Sequence, residues 1–433
     1  MTSQATPVEQ AVGSGNPRSS IYRSGTLWLL MIISTLNFLD RQVLNILAEP
    51  IKHDLGLSDT EIGLLTGLAF ALFYTVLGIP IARYADRPTT NRSSLIAVCL
   101  AFWSGMTALC GMAQSYGQLL MARIGVGVGE AGCTPAAHSL ISDLYPKEQR
   151  ASALALYGLG LPIGTLLGLG LGGGLAELFG WRATLISLGL PGIVIGLISY
   201  IAIRDPRKFG LLPPVTTPQP SMRDVLNEIL ASRAFLFLVA AMALGSFLSY
   251  GKNVWQAIFF MRSHGLTPGV AGPVLGLVVG IGAAFGAWLG GWLATHYGTR
   301  NPRHILTGPA LGGLLAMPLS LGAYYTGDWR LAAVLLTLAT ISSGLAYGPT
   351  FTCVQGLVRP QSRGVATAIF LFVMNLIGLG LGPLFFGMLS DALRPIAGVE
   401  SVRWVLYIAV ALAPIPAFLF WRSSLHLNRE MKN

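Results

Sequence analysis

Twelve stretches of about 20 mainly apolar residues decide what this chain can fold into, because each has the length that a helix needs to cross a bilayer. They are centred near Ile33, Phe73, Trp103, Gly129, Pro162 and Pro191 and, after a polar interval, near Leu244, Gly280, Gly313, Ala339, Leu376 and Ala411. Charged residues make up 11% of the 433 and hydrophobic residues 53%, whereas soluble domains carry roughly 25% charge. Lipid tails solvate such apolar surface, and the helix satisfies its own backbone polar groups where water is absent. The 53 glycines suit packed membrane helices, since small residues let backbones approach closely. The expected fold is an all-α polytopic membrane protein with 12 transmembrane helices in two pseudo-symmetric six-helix bundles.

The layout follows from the polar intervals. We expect an N-terminal tail over 1–24, a first bundle over 25–203, a linker over 204–232, a second bundle over 233–424 and a tail over 425–433. The first apolar run is too long for a signal-peptide core and reads as a retained helix. The linker holds Pro206, Pro213, Pro214, Pro218 and Pro220, then a short amphipathic piece from Met222 to Ile229. The net charge of +10 would suggest nucleic acid in a soluble chain. Here the basic residues flank apolar runs, so they report orientation, and no nucleic-acid partner is expected. Of the 28 Lys and Arg residues, 19 fall on the side of the two termini. Six lie on the other side (Lys52, Arg182, Arg262, Arg330, Arg394 and Arg403) and three within spans (Arg41, Arg123 and Lys252). The positive-inside rule then places both termini in the cytoplasm. Cys99, Cys110, Cys133 and Cys353 lie in apolar runs without metal or disulfide spacing, and read as small packing residues.

The halves repeat. Gly56, Leu57, Gly63, Gly67 and Leu68 recur as Gly265, Leu266, Gly272, Gly276 and Leu277, each shifted by 209 positions. Two parallel six-helix repeats form a transporter architecture with a binding site between the halves near the midplane.

Polar groups inside the spans mark where chemistry is expected, because an ionisable side chain at membrane depth costs roughly 2.5–3.5 kcal/mol unless it faces a cavity or a partner. The first span carries Asn37, Arg41 and Asn45 at intervals of four, one stripe of a helix, with Asp40 beside it. The fourth carries Arg123, Gly127, Glu130, Thr134 and His138 in a second stripe. Asp40 and Glu130 are the candidate proton acceptors, and Arg41 and Arg123 the cations that would pair with them or bind an anionic group. A static ion pair joining the two helices is the alternative. Asn37, Asn45, Thr134, Tyr74, Tyr250 and Lys252 complete the candidate substrate-binding set. Lys252 also has the alternative of snorkelling, and His138, Tyr157, Tyr347, Asn253 and Asn375 are weaker candidates. Trp255 and Phe260 read as interface-belt residues. Gly158, Gly160, Pro162, Gly164 and Gly168 in the fifth span, and Gly378, Gly380, Gly382 and Pro383 in the eleventh, permit either bending or close packing.

The loops carry a family likeness. Gly291-x-x-x-Thr295-His296-x-Gly298-x-Arg300 resembles the signature loop of the major facilitator superfamily, with Thr in place of its Asp. Ala82-x-x-x-Asp86-Arg87-x-Thr89, followed by Asn91 and Arg92, keeps the Asp-Arg core and lacks both glycines. Arg123-x-x-x-Gly127-x-Gly129-Glu130-Ala131 is similar to the superfamily's fourth-helix motif. Asn37-Phe38-Leu39-Asp40-Arg41, the stretch from Arg123 to Gly132 and Pro135 resemble the Spinster branch.

That resemblance implies alternating access, proton coupling and sphingolipid or lysophospholipid cargo. It implies gating roles for Asp86, Arg87, Arg83 and Asp143. Asp86 would meet the N-terminus of the eleventh helix, where the helix dipole favours an acid, and Arg87 or Arg83 would pair with Asp143. A permease for a sugar, organic anion or drug is the other transport reading. No Gly-x-x-x-x-Gly-Lys-Ser/Thr loop occurs, so a proton gradient, without a bound cofactor or metal, is the expected driving force. No His-Glu-x-x-His motif or His/Cys cluster supports a membrane enzyme, and no long loop supports a receptor. The expected setting is a monomer among the lipids of the plasma (inner) membrane.

Overall fold

A computed structural model describes residues 20–87, 89–209 and 221–431, so most of the expected N-terminal tail and the Pro-rich middle of the linker lie outside the described residues. Among the described residues, twelve helices cross the molecule. The first half holds α1 (Ser20–Leu55), α2 (Asp59–Asp86), α3 (Arg92–Met112), α4 (Tyr116–Glu130 with Cys133–Leu144), α5 (147–179) and α6 (181–202). The second holds α7 (Arg233–His264), α8 (Pro268–Gly298), α9 (Thr307–Tyr325), α10 (Trp329–Gly356), α11 (363–397) and α12 (401–430).

Nine unbroken stretches among the described residues are long and apolar enough to span a membrane. Two of them are double. Lys147–Ala202 turns at Gly180 (φ 77°), and Pro360–Glu430 turns at Gly398 (φ 58°). The twelfth span is α4, interrupted at 131–132. Among the described residues, helix occupies Ser20–Leu55 at one end and Pro414–Glu430 at the other, reaching into both expected tails. Met222–Ala231 forms the amphipathic linker helix, with Val225 and Ile229 buried.

Local chemistry sets the ends. Gly56 (φ 65°) and Gly265 (φ 66°) follow α1 and α7 in the left-handed conformation that L side chains adopt with strain. Ser58 and Glu61 form a reciprocal capping box on α2. Ser115, Ser232 and Asp328 accept backbone N–H groups at the starts of α4, α7 and α10.

The other repeated glycines, Gly63 and Gly67 with Gly272 and Gly276, let the two bundles touch. A Cβ on Gly63 would lie 2.5 Å from the carbonyl oxygen of Pro383, and one on Gly67 2.7 Å from that of Gly380. Their counterparts Gly272 and Gly276 face Leu169 and Leu166 at 2.2 and 3.1 Å. Two seams result, α2 on α11 and α5 on α8, each with a π-helical turn nearby (Leu64–Leu68, Leu277–Ile281 and Asn375–Leu381). Both seams occupy the half of the molecule away from the termini. Toward the termini, Val76 and Ile79 of α2, Leu159 of α5, and Phe285, Trp288 and Trp292 of α8 are exposed. The end segments of these helices nearer the termini, 69–86 with 363–374 and 147–158 with 282–298, do not pack closely on each other, so the bundles meet at the far end and part toward the basic end.

Candidate functional site

The two polar stripes meet. Arg41 of α1 donates its Nε–H to Oε2 of Glu130 on α4 at 2.7 Å. Its guanidinium lies 5.2, 5.0 and 4.4 Å from the rings of Phe38, Phe70 and Tyr74, three cation–π contacts of the kind that desolvation strengthens. Glu130 is 0% exposed, while 11% of the Arg41 side chain remains accessible. Asn37 and Arg123 stand next to Glu130. Asp40 points the other way around α1 and accepts the Thr107 hydroxyl of α3 at 3.1 Å.

Arg123 differs from Arg41. It is 4% exposed and lies over the Phe70 ring at 4.5 Å. Among the described residues it makes no salt bridge, and its Nε and Oε1 of Glu130 lack hydrogen-bond partners. Both Asp40 and Glu130 are within its electrostatic reach. The centre therefore holds one engaged arginine, one unengaged arginine and two acids. A buried guanidinium with no carboxylate hydrogen-bonded to it is costly, which favours a rearrangement that gives Arg123 one.

The opposite bundle approaches Arg41 through Tyr250, which lies near both Arg41 and Tyr74, and Tyr347 lies next to Tyr250. Thr134 and Ser34 are beside the Tyr157 hydroxyl, and His138 packs edge-on to the Tyr157 ring at 5.2 Å. Asn45 donates to Gln42 at 3.0 Å. Lys252, Asn253 and Asn375 are half-buried, and Lys252 has no ion-pair partner among the described residues. Gly160, Gly164 and Gly168 press α5 onto α1 beside this site, where added Cβ atoms would meet Ser34, Thr35 and Leu39 at 2.4–2.7 Å.

Two expectations are corrected. Trp255 and Phe260 are fully buried rather than belt residues. Trp255 donates its indole N–H to the Pro383 carbonyl at 3.2 Å, and Phe260 packs against Phe259 and His264. Asp143 pairs with neither Arg83 nor Arg87. Arg92 takes it at 2.5 Å and Arg207 at 3.3 Å. Arg92 wins because it is wholly buried at the start of α3 and also holds both oxygens of Asp205. Burial alone would raise the Asp205 carboxyl, but the adjoining guanidinium holds it below its ordinary range. Arg83, Asp86 and Arg87 are exposed, and none forms an ion pair among the described residues.

A further charged cluster joins the bundles at the far end. Arg262 of α7 grips Glu49 of α1 at 2.8 and 2.7 Å, and Asp59 of α2 at 3.0 and 2.7 Å. Lys52 and Ser390 complete the shell of Asp59. Sequence reasoning counted Lys52 and Arg262 as loop charges. The available clue was Glu49 and Lys52 on one face of the first span, just ahead of an acid at the start of the second. The four cysteines are buried free thiols, and among the described residues no group of three His, Cys, Asp or Glu is placed to hold a metal ion.

Comparison with known proteins agrees with this architecture. The sequence profile of the Major Facilitator Superfamily matches residues 30–383. An MFS-type efflux pump of Mycolicibacterium smegmatis is 33% identical over 405 residues, 93% of each chain. The protein spinster of Drosophila melanogaster is 25% identical, over 87% of this chain and 63% of that one. A crystal structure described as a bacterial homolog to the human lysosomal transporter Spinster, inward-facing and unoccupied, superposes with a TM-score of 0.86 at 32% identity, covering 96% of this chain and 99% of the other. The chain belongs to the Major Facilitator Superfamily as a Spinster-like, multi-pass membrane transport protein.

Proposed function

We propose that this protein is a proton-coupled secondary transporter that moves an amphipathic lipid, a lysophospholipid or sphingolipid, by alternating access. Both termini lie in the cytoplasm, and the structure is the inward-facing state, closed at the outer end by the Arg262 cluster. The observation that carries this reading is the pairing of Arg41 with Glu130 beside the unengaged Arg123. Protonation of Glu130 would remove the charge that holds Arg41. Arg41, at the edge of the passage, is then free to take an anionic headgroup, while Arg123 turns to Asp40. Substrate and proton would thus act on one rearrangement, which couples them.

Three features support lipid cargo. The charged centre adjoins aromatic residues, the inner parts of α5 and α8 are apart, and the α8 edge there is apolar. Lipid would enter sideways between those helices, headgroup toward Arg41 and chain along Phe285, Trp288 and Trp292. Asp86, Arg87 and Arg83 would engage only when the inner end closes, which accounts for their exposure here. A second reading, an organic-anion carrier, draws on a probable L-galactonate transporter of Escherichia coli that is 26% identical over 402 residues. The same arginines would serve a carboxylate.

The test is flux into liposomes of purified protein, with and without a pH gradient. Lysophospholipid, sphingoid phosphate and a sugar acid are compared, for wild type, Asp40→Asn and Glu130→Gln. Gradient-driven lipid flux that both substitutions abolish or uncouple supports the proposal. Wild-type lipid flux unchanged by both would overturn the proton sites, and flux of the sugar acid alone would overturn the cargo.

A further inference from the structure

Two acids outside the central site each rest on the other bundle. Asp391 of α11 receives the backbone N–H of Asp59 at 3.1 Å, the N–H of Thr60 at 2.7 Å and the Thr60 hydroxyl at 2.6 Å. These are the first residues of α2, whose remaining end groups are satisfied by its own Ser58–Glu61 box. Glu177 of α5 receives the Thr267 hydroxyl at 2.8 Å, just ahead of α8. Its carboxylate fills the space beside Gly269, where a Cβ would lie 1.8 Å from Oε2. Neither acid forms a salt bridge among the described residues.

The 209-residue shift relates the two contacts. It carries Ser58, Asp59 and Thr60 onto Thr267, Pro268 and Gly269, the same turn of the second helix in each half. Each acid reaches that turn from the fifth helix of the opposite half, and a helix N-terminus, with its free N–H groups and positive dipole end, is where a carboxylate is most favoured.

We propose that Asp391 and Glu177 are a reciprocal pair of latches that hold the outer end closed, distinct from the Arg262 cluster and unequal in strength. The inference rests on the alternating-access reading. Asp391 takes three donors, two of them backbone amides. Glu177 takes one hydroxyl: Pro268 at the start of α8 has no N–H to give, and the N–H of Gly269 makes no bond to it. Opening the outer end strips the start of α2 of three hydrogen bonds and the turn ahead of α8 of one. The α2–α11 seam is therefore the firmer of the two, and the α5–α8 seam is the one that yields first.

Spin labels at Gly117→Cys, in the first turn of α4, and Gly327→Cys, between α9 and α10, both exposed with open space around them, report the separation of the outer ends in nanodiscs, since the native thiols are buried. Asp391→Asn is expected to raise the separated population at least tenfold, and Glu177→Gln two- to threefold. Thr60→Val, which leaves Asp391 in place, should fall between them and serves if Asp391→Asn yields no folded protein. Variant distributions that superpose on wild type, while wild type itself shifts with pH or lipid, would overturn the latches and leave alternating access standing. A wild-type separation that never changes under any condition would overturn both. Equal effects at the two acids would overturn the inequality.

Discussion

Replacing Arg262 by Gln should open the outer end. The guanidinium makes four charge-assisted hydrogen bonds across the bundle boundary, two to Glu49 and two to Asp59. Its side chain is 9% exposed and that of Asp59 0%. Breaking a buried pair by removing one partner costs roughly 3–5 kcal/mol. Lys52 still neutralises Asp59, so the lower end of that range applies. Water reaches both acids once the bundles separate, so the cost falls on the closed state alone. About 3 kcal/mol, at 1.4 kcal/mol per factor of ten, shifts the closed-to-open ratio by about 100-fold. The assay is labelling of Tyr250→Cys, a position facing Arg41 in the passage, by a membrane-impermeant maleimide added outside right-side-out vesicles. The labelling rate should rise by one to two orders of magnitude when Arg262→Gln is added. A rate within twofold of the Arg262 parent would show that the cluster does not hold the outer end.

Other substitutions probe the remaining contacts. Gly387→Ala places a Cβ 2.3 Å from the Asp59 carbonyl oxygen and should also favour the outward-open state, read by the same maleimide rate, while expression is retained. Arg41→Lys keeps the charge but loses the planar guanidinium that lies against Phe38, Phe70 and Tyr74, and gradient-driven flux should fall at least tenfold in liposomes. Arg92→Gln leaves Asp205 buried without its partner and should lower the thermal midpoint of the detergent-solubilised protein through a loss of about 3 kcal/mol or more. Because Arg92 depresses the Asp205 carboxyl in the folded state, that stabilisation is present above the ordinary carboxylate range and is lost as pH falls through the folded value. Wild-type stability should therefore drop on acidification below the ordinary carboxylate range more steeply than that of Arg92→Gln, which lacks this contribution.

Helix number, the six-linker-six layout and the inward stripes of α1 and α4 are legible in the sequence because each is a local periodic signal. The repeat at 209 is legible too, although its meaning is not. Only the fold shows that Gly63, Gly67, Gly272 and Gly276 are where one bundle's backbone meets the other. The partner of Asp143 is hidden for a different reason. Arg83, Arg87, Arg92 and Arg207 are all basic residues near one end, and the choice among them depends on which is buried at the start of α3. Trp255 and Phe260 misled for a related reason. An aromatic residue near a span's end suits a lipid interface, but one facing an adjoining helix is buried instead. The Arg262 cluster draws on α1, α2, α7 and α11, so no window of sequence contains it.

One feature of α1 bears on how the two ends communicate. It runs unbroken from Ser20 to Leu55, with Asp40 and Arg41 in its middle and Glu49 and Lys52 near the end away from the termini. Arg41 and Glu49 are separated by eight residues, roughly 12 Å of rise, with no loop to absorb a movement. A tilt or roll of this rod that frees Arg41 from Glu130 must also shift Glu49 under Arg262. The rod behaves as a single shaft with a key cut at each level, and turning it for one lock disturbs the other.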